Sequence, residues 1–309
     1  MTTIVWFRQD LRVSDNPALY EATRRGPVLP VYILETPDQS GDDHPLGSAS
    51  RWWLHHSLAA LKEDLPGLVF LRGSARHLIP DLVQETGADA VYWNRCYEPH
   101  AIERDSALKE ALKTDLIDAK SFKASLLFEP WDVETKTGGP YKVYSPFWKA
   151  AQQISVPDPL PAPAEINFAA YDKCDSLSDL KLLPTKPNWA EGWEDIWQPG
   201  EAGAKDRLIE FLDHGLSGYG DKRNRPDLPN VSRLSPHLHF GDISPRQVWS
   251  ATQHATARKS SHSSDGHKFL SEIAWREFSY HLLYHFPQLP EKNWRPAFDA
   301  YPWRESEED

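Results

Sequence analysis

One predicted helix near the end of the sequence combines aromatic and charged residues in a way that suits ligand binding. In FLSEIAWREFSYHLL, an apolar stripe at helical spacing comprises Leu270, Ile273, Ala274 and Phe278. The other side carries Phe269, Glu272, Trp275, Arg276 and Ser279. A planar heteroaromatic ligand needs such a stacking surface together with hydrogen-bonding groups. The alternative is a face packed on another helix, with a Glu272–Arg276 ion pair contributing about 0.3–0.5 kcal/mol.

A second candidate site is the Pro-rich segment GYGDKRNRPDLPNVSRLSPHLHFG, residues 218–241. It gathers three cations: Lys222, Arg223 and Arg225. Ser235-Pro236 and Ser244-Pro245 predict two helix starts, each with a serine N-cap and proline at the first helical position, and Gly241 is predicted to end the first helix. Free N–H groups beside Arg233 favour a phosphate there. These signals alone also fit two ordinary capped helices.

The first part of the chain contains the elements of an α/β domain. Four apolar runs predict strands: TTIVWFR, GPVLPVYIL, GLVFLRG and ADAVYWNR. Segments with helical periodicity, such as RWWLHHSLAALKEDL, separate them, which predicts a doubly wound parallel sheet over residues 1–130. The segments WFRQDLRVSDN, YILETPDQ and WNRCYEP follow strands and should converge at the ligand-binding edge. The G-x-G-x-x-G dinucleotide fingerprint does not follow the first strand.

The rest of the chain is predicted to comprise a connection and a second domain. Residues 131–199 include the Pro-rich, acidic run ISVPDPLPAPAEINF, which is typical of a long surface connection. Residues 200–309 have helical periodicity and predict a mostly α-helical domain.

Composition limits the classes of protein. The 309 residues suffice for two domains, the two cysteines cannot form a disulfide framework, and no apolar stretch approaches a membrane span, so we expect a cytoplasmic protein without a membrane role. A net charge of −11 argues against non-specific nucleic-acid binding by the whole surface. Residues 201–309, however, hold 14 Lys and Arg against 16 Asp and Glu, so a polyanionic partner is compatible with this part.

Four segments, in order along the chain, resemble the photolyase/cryptochrome family. They are IVWFRQDLRVSDNPAL, RWWLHHSLAAL, GYGDKRNRPDLPNVSRLSPHLHFGDISPRQVW and FLSEIAWREFSYHLLYHFP. The resemblance is strongest to the folate-binding bacterial (class III-like) photolyases related to plant cryptochromes. It implies an N-terminal antenna-binding domain and a helical domain that binds FAD.

The resemblance also implies roles for individual residues. The FAD-binding residues would be Tyr219, Ser232, Arg233, Leu234, Ser235, Phe269, Glu272 and Arg276. Val231 stands where the family usually has Thr, which puts one phosphate contact in doubt. Lys222, Arg223 and Arg225 would contact DNA phosphates, and Trp275 would stack on a pyrimidine dimer beside Glu272. Trp303 matches the outer member of an electron-transfer chain of tryptophans.

The implied activity is that of a deoxyribodipyrimidine photo-lyase, which splits cyclobutane pyrimidine dimers in UV-damaged DNA by electron transfer from photoexcited reduced FAD. A cryptochrome-type blue-light receptor and a (6-4) photolyase are the alternatives, with His237 as a candidate histidine for the latter. Family members usually continue beyond PWRES with helices that complete the FAD site. The two interpretations are a fragment of a split or cleaved protein, with a second polypeptide that carries the remaining part, and a truncated product.

The resemblance implies an antenna chromophore as well. Methenyltetrahydrofolate is the first expectation and an 8-hydroxy-deazaflavin the second. Four polar residues near the predicted strand ends are candidates for binding it: Glu35, Arg51, Asn94 and Glu98. Each of them also fits an ordinary surface polar residue.

Overall fold

A five-stranded parallel sheet forms the first part of the protein. The computed structural model describes residues 1–41, 46–259 and 262–302. The strands are β1 (Thr3–Phe7), β2 (Val28–Leu34), β3 (Val69–Arg72), β4 (Ala90–Asn94) and β5 (Asp118–Phe122), in the order β3-β2-β1-β4-β5. The predicted doubly wound α/β fold is confirmed, and the four predicted strands are β1 to β4.

Helices cover both faces of this sheet. They are α1 (Pro17–Thr23), α2 (Pro37–Ser40), α3 (Ser48–Asp64), α4 (Ala75–Thr86) and α5 (Pro99–Thr114). Alternate residues of β1 enter opposite cores, with Val5 and Phe7 on one side and Ile4 and Trp6 on the other. Strands buried on both faces are continuous apolar runs, which is why the sequence pattern found them.

The segment of residues 131–199 packs against both parts of the chain. Its one α-helix among the described residues, α6 (Tyr144–Ala151), buries Phe147 in the core of the helical part. Further on, the Val28 N–H donates to the carbonyl of Asn167, so the chain returns along the sheet. The boundaries at 130 and 199 stay a prediction.

The second part is mostly helical, as predicted. Its helices are α7 (Glu201–Glu210), α8 (Tyr219–Lys222), α9 (Ser235–Phe240), α10 (Pro245–Arg258) and α11 (Ser263–His285), with a π-helical turn at Phe211–Gly215. No helix within the described ranges is both long and apolar enough to span a bilayer.

Of the two predicted serine N-caps, one is confirmed and the other is wrong. Ser244 caps α10, because its side chain accepts from the Gln247 N–H while the Gln247 side chain accepts from Ser244. Gly241 ends α9 in the left-handed conformation, as predicted. The N-cap assigned to Ser235 is wrong: Leu234 occupies that position. Arg233 has a left-handed φ of 54°, so the chain already enters the helical conformation at Leu234.

Candidate cofactor and nucleic-acid sites

A cavity of about 200 Å³ lies at the carboxyl edge of the sheet. Its lining includes Arg8, Glu35 and Glu98, which follow β1, β2 and β4. The strand order reverses direction between β1 and β4, and a crevice forms where connections leave a parallel sheet in opposite directions. Phe240 of α9 lines the same cavity, so both parts of the chain contribute to it.

Buried charges at this cavity neutralise one another. Arg104 Nη1 lies 2.6 Å from Glu35 Oε2, and Arg104 Nη2 lies 3.0 Å from Asp105 Oδ1. Arg8 Nη1 lies 2.6 Å from Asp105 Oδ2. Both guanidinium groups also lie over the Trp6 ring, at 4.3 and 4.7 Å from its centroid. The polar groups of this cavity are therefore held in place by the chain itself.

Cys96 lines the cavity, and its surroundings favour the neutral thiol. Burial raises the pKa of its thiol to about 12, despite the opposing influence of Arg8. The thiolate is the reactive form of cysteine, so this side chain serves as an apolar part of the wall.

The aromatic residues predicted near the flavin pack on one another in the helical core. The Phe269 ring centroid lies 4.6 Å from that of Phe211 and 5.4 Å from that of Tyr219. Phe269 is only 2% exposed, so it departs from the predicted ligand-facing side of α11. The predicted apolar stripe is confirmed as buried: Leu270, Ile273, Ala274 and Phe278.

The charged residues of α11 pair differently from the i,i+4 alternative. Glu272 Oε1 lies 2.9 Å from Arg223 Nη1 and 2.9 Å from Lys268 Nζ. Arg276 instead donates to the carbonyl of Ser125 at 2.7 Å. Trp275, one turn after Glu272, is 44% exposed. Glu272, Arg223 and Trp275 therefore share one surface, whereas Arg276 faces the α/β unit.

Glu277 is a buried carboxyl group that sequence reasoning missed. Its Oε2 accepts from the N–H groups of Leu127 at 2.7 Å and Phe128 at 3.2 Å. Burial raises the pKa of Glu277 to about 7, opposed by Arg276. This contact fastens α11 to the segment that follows β5, and a pairing so distant in sequence leaves no local signal.

The basic loop contains cations with and without carboxylate partners. Arg225 pairs with Asp227 at 2.6 Å, and Arg223 pairs with Glu272. Within the described ranges, Lys222 and Arg233 have no carboxylate within ion-pair distance. An anion can therefore bind at Lys222 and Arg233 without displacing a carboxylate of the described residues.

Two protein-family models match this chain. Residues 3–164 match the model of DNA photolyase, and residues 269–309 match the FAD binding domain of DNA photolyase. A deoxyribodipyrimidine photo-lyase of Agrobacterium fabrum is 50% identical over 98% of this chain and 64% of its own length.

The chain belongs to the DNA photolyase family. A solved class III photolyase from Agrobacterium tumefaciens superposes with a TM-score of 0.93 at 48% identity, covering 99% of this chain and 64% of that one. Cryptochrome-1 of Arabidopsis thaliana is 34% identical over 97% of this chain and 46% of its own length. The chain thus spans about two thirds or less of the length of these relatives.

The four candidate antenna-binding residues lie in different surroundings in the structure. Glu35 and Glu98 line the cavity at the sheet edge. Asn94 is buried and its amide is used by the protein, donating to Asp10 and Asn16. Arg51 donates to the Lys181 carbonyl at 2.7 Å. Only the two glutamates are therefore brought together at one cavity.

Two further residues singled out by the family resemblance are His237 and Trp303. His237 is buried, lies 3.0 Å from Asp242 Oδ2 and packs edge-on to Trp53, so it is a satisfied interior histidine rather than one that reaches a lesion. Trp303 lies outside the described residues.

Proposed function

We propose that this chain takes part in light-driven repair of cyclobutane pyrimidine dimers in DNA, as a deoxyribodipyrimidine photo-lyase. The observation that supports it is the surface formed by Trp275, Glu272 and Arg223, in a chain 50% identical to a relative of that name. An exposed indole offers a stacking face to a base outside the duplex. The adjacent cations can bind the DNA phosphates beside that base.

The residues at the start of α9 fit the phosphates of FAD. Arg233 is exposed, Ser232 and Ser235 offer hydroxyl groups beside it, and the left-handed backbone at Arg233 is the kind of local strain found at binding sites. Leu234, which follows Arg233, belongs to the same buried apolar cluster as Tyr219 and Phe269. Bound FAD, reduced and photoexcited, supplies the electron that splits the dimer.

A dimer-containing oligonucleotide under blue light tests the proposal. With FAD, a chemical reductant and the separately expressed segment of the Agrobacterium fabrum relative that this chain does not match, we expect restoration of thymines in the light and none in the dark, measured by chromatography of the digested strand. Flavin binding without restoration would contradict repair and favour a cryptochrome-like role. Restoration of a (6-4) photoproduct instead would contradict the assigned lesion.

For the antenna, we propose that the cavity at the sheet edge binds methenyltetrahydrofolate. Its support is a wall formed by Trp6, over whose ring the guanidinium groups of Arg8 and Arg104 lie, and the carboxylate of Glu98, which lines the cavity and can accept from a pterin ring. Glu35 lines the same cavity, where Arg104 and the Ala75 N–H hold its carboxylate. A deazaflavin is the competing occupant of the same cavity.

Mass spectrometry of chromophore released from the purified protein distinguishes the two. Folate retained by the wild type and lost from Glu98→Ala would support the assignment, with Arg51→Ala as a matched control outside the cavity. A deazaflavin in the extract, or folate that survives Glu98→Ala and not Arg51→Ala, would contradict it.

We further propose that a second polypeptide completes the FAD site. Support comes from a groove of about 780 Å³ after α11, lined by Val143, Phe286 and Trp294. Val143 is 60% and Trp294 38% exposed, so the groove offers apolar side chains on which a further segment could pack.

Complementation provides the test. The part of the Agrobacterium fabrum relative that this chain does not match is expressed separately and added with FAD. We expect flavin to co-elute with the mixture in gel filtration, more than with this chain alone. Equal flavin retention with and without the added segment would contradict the proposal.

A further inference from the structure

Trp275 is backed by a second aromatic ring that the sequence does not point to. The ring centroids of Trp275 and Tyr144 lie 3.7 Å apart and their planes differ by 8°. This parallel stack covers one face of the indole. Trp275 is nevertheless 44% exposed, so its accessible surface lies away from Tyr144.

Tyr144 is itself fixed to the helix that carries Trp275. Its hydroxyl donates to the carbonyl of Ser271 at 2.6 Å and lies 2.7 Å from Ser271 Oγ. Ser271 precedes Trp275 by one turn of α11, so the phenol is held at its tip and along its face by the same helix. Phe278 packs edge-on against both rings, at 5.8 and 5.9 Å.

The charge around this stack favours an anionic strand. Glu272, on the same helix, is shared by Arg223 and Lys268 at 2.9 Å each, so cations outnumber carboxylates in this cluster. Loss of one cation to a DNA phosphate would leave Glu272 still paired with the other.

We propose that Tyr144 is a positioning residue that holds Trp275 as one rigid ring of a stack, to which a base flipped from damaged DNA adds the third ring. This inference rests on the proposed repair function. An exposed indole without support would lose side-chain freedom when a base stacks on it, whereas Tyr144 fixes the rotamer beforehand. It also blocks one face, so a single side of Trp275 accepts the base.

The test compares the affinity of the full chain, with FAD and the unmatched segment of the Agrobacterium fabrum relative present, for two fluorescent oligonucleotides that differ only by one thymine dimer. Fluorescence anisotropy in the dark gives both dissociation constants, and their ratio measures lesion discrimination. We expect Tyr144→Leu to lower this ratio about tenfold, toward that of Trp275→Leu, because base–aromatic stacking accounts for discrimination of this order. Tyr144→Phe, which keeps the ring, should recover most of the ratio.

Tyr284→Leu is the matched control, since Tyr284 lies on α11 like Trp275 and its ring contacts exposed Trp131, with an angle of 57° between the ring planes. It should leave the ratio unchanged. An unchanged ratio for Tyr144→Leu would overturn the inference alone. A wild type without lesion preference would overturn the proposed function as well. Equal weakening of both oligonucleotides, or a fall for Tyr144→Phe as large as for Tyr144→Leu, would indicate a merely structural role and also overturn it.

Discussion

The cavity at the sheet edge and the surface around Trp275 hold their charges in opposite ways. In the cavity, buried Arg104 is neutralised by Glu35 and Asp105. On the surface, Glu272 is shared by two cations and the indole beside it is open. Buried charges are tolerated only when paired, so the chain itself neutralises the charges of the enclosed cavity, whereas the charges of the open surface remain accessible to solvent.

If this contrast holds, breaking a buried ion pair should cause the largest loss of stability. Asp15 is fully buried, and its Oδ1 lies 2.7 Å from Arg246 Nη2, joining the loop after β1 to α10. Asp15→Asn keeps the size and the tolerance of the left-handed backbone but removes the charge. We expect a loss of about 3–5 kcal/mol in the free energy of unfolding. A urea titration showing less than about 1 kcal/mol would break the comparison.

The buried Glu277 should give the next largest effect, and it depends on pH. Its pKa is raised from 4.5 to about 7 in the folded state. The folded protein therefore holds this proton more tightly, and the stabilisation is complete below the unfolded pKa and lost as pH rises through about 7. Between these limits the free energy of unfolding of the wild type should fall by about 3 kcal/mol relative to that of Glu277→Gln, which cannot ionise.

Unfolding of both proteins in urea at several pH values measures this difference. The difference between the unfolding free energies of the two proteins cancels the pH dependence that other groups contribute. One such group is His281, whose pKa is lowered to about 4 by burial and by His285. Parallel pH profiles of the wild type and Glu277→Gln would contradict the assigned shift.

Two glycines sharpen the contrast between enclosed and open positions. Gly241 and Gly87 both end helices with left-handed φ values, 73° and 64°. An added Cβ at Gly241 would lie 2.1 Å from the Gln9 carbonyl oxygen, whereas at Gly87 it would meet nothing within 4 Å. Both alanine variants should lose about 1–2 kcal/mol from the backbone, and Gly241→Ala a further 1–3 kcal/mol or so from overpacking. Equal melting temperatures would contradict this.

The smallest effect is expected for the exposed pair of Arg225 and Asp227. Although they lie 2.6 Å apart, both are more than half exposed, and solvent screens such pairs. Asp227→Ala should change the unfolding free energy by less than about 0.5 kcal/mol. A loss comparable to that of Asp15→Asn would remove the distinction between the two regions.

Local patterns predicted much of this architecture and part of its sites. Strands β1 to β4 were found because apolar runs mark strands buried on both faces. β5 was missed, since its sequence DAKSF at the sheet edge mixes polar and apolar residues. The position of Glu35 and Glu98 at the sheet edge could be predicted because Glu35 directly follows β2 and Glu98 lies four residues after the end of β4, whereas Arg104 was missed because it reaches the cavity from within α5.

The sequence by itself determined the family, the parallel sheet and the amphipathic α11, because periodicity and motif order are properties of neighbours along the chain. Only the tertiary structure decided which charges pair and which ring supports which. Arg223 meets Glu272, Glu277 meets the N–H groups after β5, and Tyr144 lies flat on Trp275. These contacts join distant segments, and burial and packing select them only after the helices and sheet are assembled.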